Sequence, residues 1–151
     1  MSSETYSNSD EFGRFRRVTH LDGTYEDTQY ACCGLDLTID RDGVVTQYEY
    51  DATGRQVAST RLNIKTTNIL NSASQVLATK RIGSDGSVIT LSQSAYNDAG
   101  EVARETNALN GVTTYATTAD AQGYLTIKTT VYPDGGTRIE NYFQDGQLAK
   151  V

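Results

Sequence analysis

The 151-residue chain is predicted to be all-β, built of consecutive antiparallel β-hairpins that form a twisted, curved sheet, a β-spiral or partial barrel. Three observations predict it. First, the stretch Asp42 to Val57 alternates with a period of two: Val44, Thr46, Tyr48 and Tyr50 fall on one face, Val45, Gln47 and Glu49 on the other. Second, Asp-Gly or Asn-Gly pairs, strong short-range hairpin signals, recur at Asp22-Gly23, Asp42-Gly43, Asp85-Gly86, Asn110-Gly111 and Asp134-Gly135. Third, the large side chains are mostly tyrosine, with 10 Tyr against 3 Phe and no Trp, which suits pleated, half-buried surfaces. No run of helix formers at a 3.6-residue spacing competes with this pattern.

Taken in order, residues 1–14 are rich in Ser, Asn and Glu and are expected to be a flexible or added N-terminal segment. Residues 15–151 are expected to form a single repeat-built β domain. A second marker runs through it, a large residue four positions before a glycine: Tyr30 with Gly34, Tyr50 with Gly54, Tyr96 with Gly100. Leu70 with Ser74 and Ala119 with Gly123 are weakened copies, and Phe143 to Gly146 is one residue short. The two marker series interleave, so each unit reads strand, turn, strand, turn over about two dozen residues. One unit lacks its Asp-Gly, and Asn63-Ile64 sits where that turn should fall. Ile64 to Arg81 is the least regular stretch, brief enough for a short helix to compete with strands. Further on, Leu125, Ile127, Thr129 and Val131 alternate against Tyr124, Thr126, Lys128 and Thr130. Ile139, Asn141 and Phe143 do the same against Arg138, Glu140 and Tyr142. Val44, Tyr48, Tyr50, Tyr96, Leu125, Ile127 and Phe143 are the side chains expected to hold the sheet together.

The central unit resembles a known family. Gly43 is followed after six residues by Tyr50-Asp51-Ala52-Thr53-Gly54-Arg55, which is similar to the Gly-x6-Tyr-Asp-x-x-Gly-Arg signature of Rhs, or tyrosine–aspartate (YD), repeats. Tyr96-Asn97-Asp98-Ala99-Gly100-Glu101 follows it with Asn for Asp and Glu for Arg, and Tyr30 to Gly34 keeps only the Tyr and Gly. On this resemblance Tyr30, Gly34, Asp42, Gly43, Tyr50, Asp51, Gly54, Arg55, Tyr96, Gly100 and Gly123 are repeat-motif positions. Known members look like hairpin spirals that close into shells around a toxin, or barrels in adhesion proteins. The resemblance thus implies a structural, non-enzymatic module of a longer bacterial surface or secreted protein, one that encloses or presents a partner. It implies an extracellular or cell-surface location, with further YD repeats or copies of itself as partners. The family's shells use many more repeats, and no Asp-Pro-x-Gly element or toxin domain follows here.

The residues exclude several other functions. A net charge of −6 argues against nucleic acid, and the one basic cluster, Arg14-Phe15-Arg16-Arg17, is short enough to be a solvated strand edge. No apolar run approaches the ~18 residues of a membrane-spanning helix. Met1-Ser2-Ser3-Glu4 opens a polar segment rather than a secretory signal, which fits an intracellular chain or a piece of a longer secreted one. His20 is the only histidine, and no Gly-x-Ser-x-Gly elbow occurs, so no catalytic residue is assigned. The aspartates recur beside turn glycines, where they shape backbone.

Three sets of residues remain as possible sites. Tyr115, Tyr124, Tyr132 and Tyr142 could stack on glycans, the alternative being a carbohydrate-binding module with exposed tyrosines. Cys32 and Cys33 take the turn positions that Ala52 and Thr53 hold in the central unit, where reduced thiols or a strained, redox-active vicinal bridge could lie. Thr38-x-Asp40-x-Asp42-Gly43 with Glu49 approximates a calcium loop. Its first ligand position is Thr, no helices flank it, and Glu49 falls within the best strand. No cofactor and no resident metal are therefore expected.

Overall fold

The computed structural model describes residues 4–32 and 34–151. Fourteen strands are hydrogen-bonded in sequence order, β1 to β14, and every pairing described is antiparallel between sequence neighbours. The class is all-β and the topology is one of consecutive hairpins, as the alternation and turn spacing predict. The chain divides into two compact units, Met1–Ser74 with Lys80–Ile89, and Gln75–Thr79 with Thr90–Val151.

The first unit contains β1 (Thr5–Ser9), β2 (Phe15–Thr19), β3 (Tyr25–Ala31), β4 (Gly34–Ile39), β5 (Val45–Tyr50), β6 (Gln56–Arg61) and β7 (Ile64–Leu70). β8 (Val76–Ile82) and β9 (Val88–Tyr96) contribute residues to both units. The second unit continues through β10 (Val102–Asn107), β11 (Val112–Ala119), β12 (Leu125–Val131), β13 (Thr137–Tyr142) and β14 (Leu148–Lys150). β5 behaves as its sequence dictates: Thr46, Tyr48 and Tyr50 are half-buried while Val45, Gln47 and Glu49 are exposed. The irregular stretch Ile64 to Arg81 is strand, not helix, and forms β7 and β8.

Most connections share one geometry. In the 51–55 turn the Gly54 N–H donates to the Asp51 carbonyl at 3.0 Å and the Asp51 N–H donates to Arg55 at 2.9 Å. This is a three-residue loop with a left-handed third residue, and Gly54 at φ 79 takes that position without a Cβ clash. The Asp42-Gly43 turn closes identically, with Gly43 donating to the Asp40 carbonyl at 2.9 Å. At turns of this kind the two marker series are one turn read in two ways; Tyr30 with Gly34 is the exception, since Gly34, at φ 151, is already in β4 and pairs with Ala31.

What differs is which side chain satisfies the loop. Where the opening residue is Asp or Asn, its side-chain oxygen accepts the following N–H groups: Asp51 from Thr53 and Arg55, Asp40 from Asp42 and Val44, Asp120 from Gln122 and Tyr124. Where the opening residue lacks such an oxygen, the aspartate next to the glycine takes over. Asp22 accepts from Thr24, Asp85 from Ser87, Asp134 from Gly136 and Asp145 from Gln147.

Two turns depart from the reading of the sequence. The β6–β7 connection is Leu62-Asn63, with φ 50 and 60 and Arg61 paired to Ile64. This is the two-residue type of hairpin loop, placed one residue earlier than Asn63-Ile64, with Ile64 already in the strand. In the 107–111 turn the left-handed residue is Asn110 at φ 62, so Gly111 lies one position beyond where the Asn-Gly signal places it.

Neither unit has a conventional core. In the first, Ala58 is buried at 3% exposure; in the second, Ala78 at 8% and Thr130 at 6%. No large side chain is fully buried among the described residues, and Phe143, expected to hold strands together, is 59% exposed. Phe143 opens the 143–147 turn, where its backbone bonds to Gln147 and Gly146 while its ring projects from the loop.

Candidate functional site

The motif residues of the first unit form a chain of contacts along one row of turns. The ring of Tyr50, at the end of β5, packs against the backbone at Gly34, and its hydroxyl donates to the Leu35 carbonyl at 2.8 Å. A Cβ on Gly34 would sit 3.0 Å from that hydroxyl, and Gly34 also has φ 151, so glycine is required twice over. Asp51 then organises its own loop and holds Arg55, whose Nε donates to its Oδ2 at 2.7 Å. The far side of the Arg55 guanidinium reaches the next turn of the row, donating to the Asn71 carbonyl at 2.7 Å and to Ser74 Oγ at 3.3 Å. Tyr-Asp-x-x-Gly-Arg is thus a staple: Tyr reaches back, Asp shapes the loop, Arg reaches forward.

A second staple was not read from the sequence. Asp10-Glu11-Phe12-Gly13-Arg14 is the same Asp-x-x-Gly-Arg element without its tyrosine. Asp10 accepts from the Arg14 N–H at 2.9 Å and from Arg14 Nε at 2.7 Å, and the guanidinium lies 4.2 Å from the centre of the Tyr30 ring. The signal was present, four residues of spacing, but it lies in a polar stretch that composition alone assigns to a loose terminus.

The second unit repeats the arrangement with amides. Tyr96 Oη donates to the Val76 carbonyl at 3.1 Å, and Gln75 Nε2 to the Gly100 carbonyl at 2.8 Å. Gln144 Nε2 reaches Asp120 Oδ2 at 3.1 Å, in the turn that Gly123 closes. Gln75 thus supplies the forward reach that Arg55 supplies in the central unit, while Gln144 reaches back.

The candidate ligand tyrosines divide. Tyr115 and Tyr142 are half-buried and line one concave cavity of about 460 Å³ on the β10–β13 face, with Glu101, Glu105, Thr117 and Lys128. Strand register explains the grouping: Thr117 pairs with Lys128 and Lys128 with Glu140, two residues from Tyr142, so these side chains share a face. Tyr115 Oη donates to Glu105 Oε2 at 2.6 Å, and this bond pushes its phenol pKa up to about 12. Tyr124 and Tyr132 are 51% and 40% exposed and do not line this cavity.

The remaining candidates are occupied locally or lie apart. Asp40 accepts from two backbone N–H groups and from the Arg61 guanidinium, while Glu49 accepts from Lys65 Nζ at 2.7 Å. Asp42 donates its N–H to Asp40 rather than joining Asp40 and Glu49 around a common point. Cys32 is exposed, between strands whose ends Ala31 and Gly34 are paired, and Cys33 lies outside the described residues.

Comparison with known proteins agrees with this geometry. Residues 37–63 match the RHS repeat family model, a span that includes Tyr50-Asp51-x-x-Gly54-Arg55. Residues 37–63 are similar to an RHS repeat. The repeat is the stretch that the sequence marks most strongly, and its staple is the most complete in the structure. No curated protein matches the chain. Among solved structures, a crystal structure of TcdB2-TccC3-Cdc42 is similar over 97% of this chain at 15% identity, with a TM-score of 0.59. A structure of the Photorhabdus luminescens Tc holotoxin pore is similar over 97% at 14% identity, with a TM-score of 0.60. A crystal structure of TcdB2-TccC3-TEV gives 97%, 14% and 0.56. At these identities the likeness is one of fold. The chain spans 10% of the length of each of these solved chains.

Proposed function

We propose that this chain is a structural, non-enzymatic wall segment of an Rhs-type protein, whose work is to enclose or present a partner. One observation carries the reading: RHS-type staples lock turn to turn while neither unit buries a large side chain. Rigidity along a row of turns without a core suits a sheet that is completed by more sheet. β1 and β14 end the strand order, and the strands at the ends of such a sheet are templates for further repeats or for copies of the same chain. An extracellular or cell-surface setting fits such a wall. A glycan platform would need several tyrosines exposed in a row, whereas two of the four candidates are half-buried in a cavity.

Light scattering behind a sizing column, on reduced and on oxidised protein, tests the proposal. A defined oligomer or filament independent of oxidation is expected. A stable monomer resistant to protease overturns it, because such a chain is self-sufficient. An oligomer that forms only on oxidation also overturns it and transfers the role to Cys32 and Cys33.

A further inference from the structure

The cavity of the second unit has features that the wall does not use. Its lining carries charges of both signs: among the described residues no ion pair joins Lys128 to Glu101 or Glu105, the ammonium group lies 5.7 Å from the centroid of the Tyr115 ring, and Glu140, the cross-strand partner of Lys128, is engaged by Arg138. Each glutamate uses one oxygen locally. Glu105 Oε2 accepts from Tyr115, and Glu101 Oε2 accepts from Asn97 Nδ2 at 3.1 Å and Thr117 Oγ1 at 3.4 Å. Those bonds fix both carboxylates and the Tyr115 ring before any ligand arrives. Val102, Leu125 and Tyr142 supply an apolar part to the same lining. The volume, about 460 Å³, falls within the roughly 300–1,000 Å³ typical of small-molecule sites.

We propose that this cavity binds a small zwitterion with an apolar body, the class that contains free α-amino acids with aromatic or aliphatic side chains. The ligand's ammonium group meets Glu101 and Glu105, its carboxylate meets Lys128, and its side chain lies against Tyr142 and Leu125. Mixed charge selects this class. A simple cation gains the two glutamates but meets Lys128 as a like charge, and a simple anion has the reverse problem. A neutral polyol gains hydrogen bonds but leaves the opposed charges unmatched. The proposal stands on the cavity alone and does not depend on the wall reading.

The test is a titration of the full chain with L-phenylalanine, followed by NMR of the tyrosine rings and by calorimetry. Phenethylamine, 3-phenylpropionate and glucose serve as matched ligands that lack one or both charges. Saturable binding of L-phenylalanine is expected, weakened at least tenfold for each single-charge analogue and absent for glucose. K128M and E101Q should each weaken binding at least tenfold, with circular dichroism unchanged from the parent. The proposal is overturned by no saturable response to L-phenylalanine. Phenethylamine binding as tightly and indifferently to K128M would make this a cation site, and glucose binding would return the cavity to saccharides. Should either variant lose its fold, the analogue series decides by itself.

Discussion

The hydroxyl of Tyr50 donates to the carbonyl of Leu35 at 2.8 Å, and its ring occupies the space where a side chain on Gly34 would be. The two partners are fifteen positions apart in the chain, yet they belong to neighbouring turns of one row. The tyrosine of the repeat motif is therefore not simply a large strand residue. It is a polar clamp whose ring fits only over glycine.

Removing the clamp hydroxyl by Y50F should cost about 1 kcal/mol, the net worth of one hydrogen bond. G34A should cost more, about 1–3 kcal/mol, since it combines unfavourable backbone geometry with a clash. The two changes should be coupled, because Y50F removes the nearest atom that the new Cβ would meet. Urea unfolding of the single and double variants measures this, and strict additivity would contradict the clamp.

Asp51 predicts an acid-dependent contribution to stability. The Thr53 hydroxyl, then the Arg55 N–H and guanidinium, hold its carboxyl well below the usual carboxylate range, against a smaller opposing effect of burial. A depressed folded-state pKa contributes stability above the unfolded value of about 3.9, and that stability is lost as pH falls through the folded value. Asp22, Asp40 and Asp85 are lowered in the same direction, chiefly by Thr24, Arg61 and Ser87. Unfolding midpoints measured on descending pH should fall below about pH 4, and D51N should flatten that limb. An unchanged slope in D51N would show that Asp51 is not a contributor.

The turn at Leu62-Asn63 carries correctable strain. Leu62 is 69% exposed and sits at φ 50, a conformation that costs a leucine about 1–2 kcal/mol. L62N keeps the loop and relieves most of that cost, so it should raise stability by roughly 0.5–1 kcal/mol. Thermal unfolding reads the change as a higher midpoint. S74G, at φ 64, should gain less, since it also deletes the hydroxyl that Arg55 touches.

Tyr115 should titrate late. Its hydroxyl donates to Glu105, and ionising it would set a phenolate against a carboxylate, which pushes its pKa up to about 12. In a tyrosinate absorbance titration, E105Q should move one tyrosine's share of the late absorbance back toward the ordinary value of about 10. A late step that survives E105Q would place its cause elsewhere.

The alternation from Val44 to Tyr50 and the regular spacing of turn residues were enough to read an all-β chain of hairpins and its RHS-type centre. Both are local: strand alternation and loop conformation depend on residues within a few positions of one another. The loop chemistry was legible only in part. The sequence marks aspartates beside glycine, but whether Asp40 or Asp42 accepts the loop N–H groups is a matter of which oxygen points inward. Asp10 to Arg14 has the motif's spacing, but its polar surroundings carry no strand signal.

What only the tertiary structure decided were the relationships between turns. Tyr50 over Gly34, Arg55 at Asn71, and Gln75 at Gly100 each join residues that are distant in sequence and adjacent through strand register. Register follows from the summed geometry of successive loops, and one residue of slip sends a side chain to the opposite face. The missing core is of the same kind. Sequence shows that a strand has an apolar face, but whether another layer covers that face depends on how the whole chain packs.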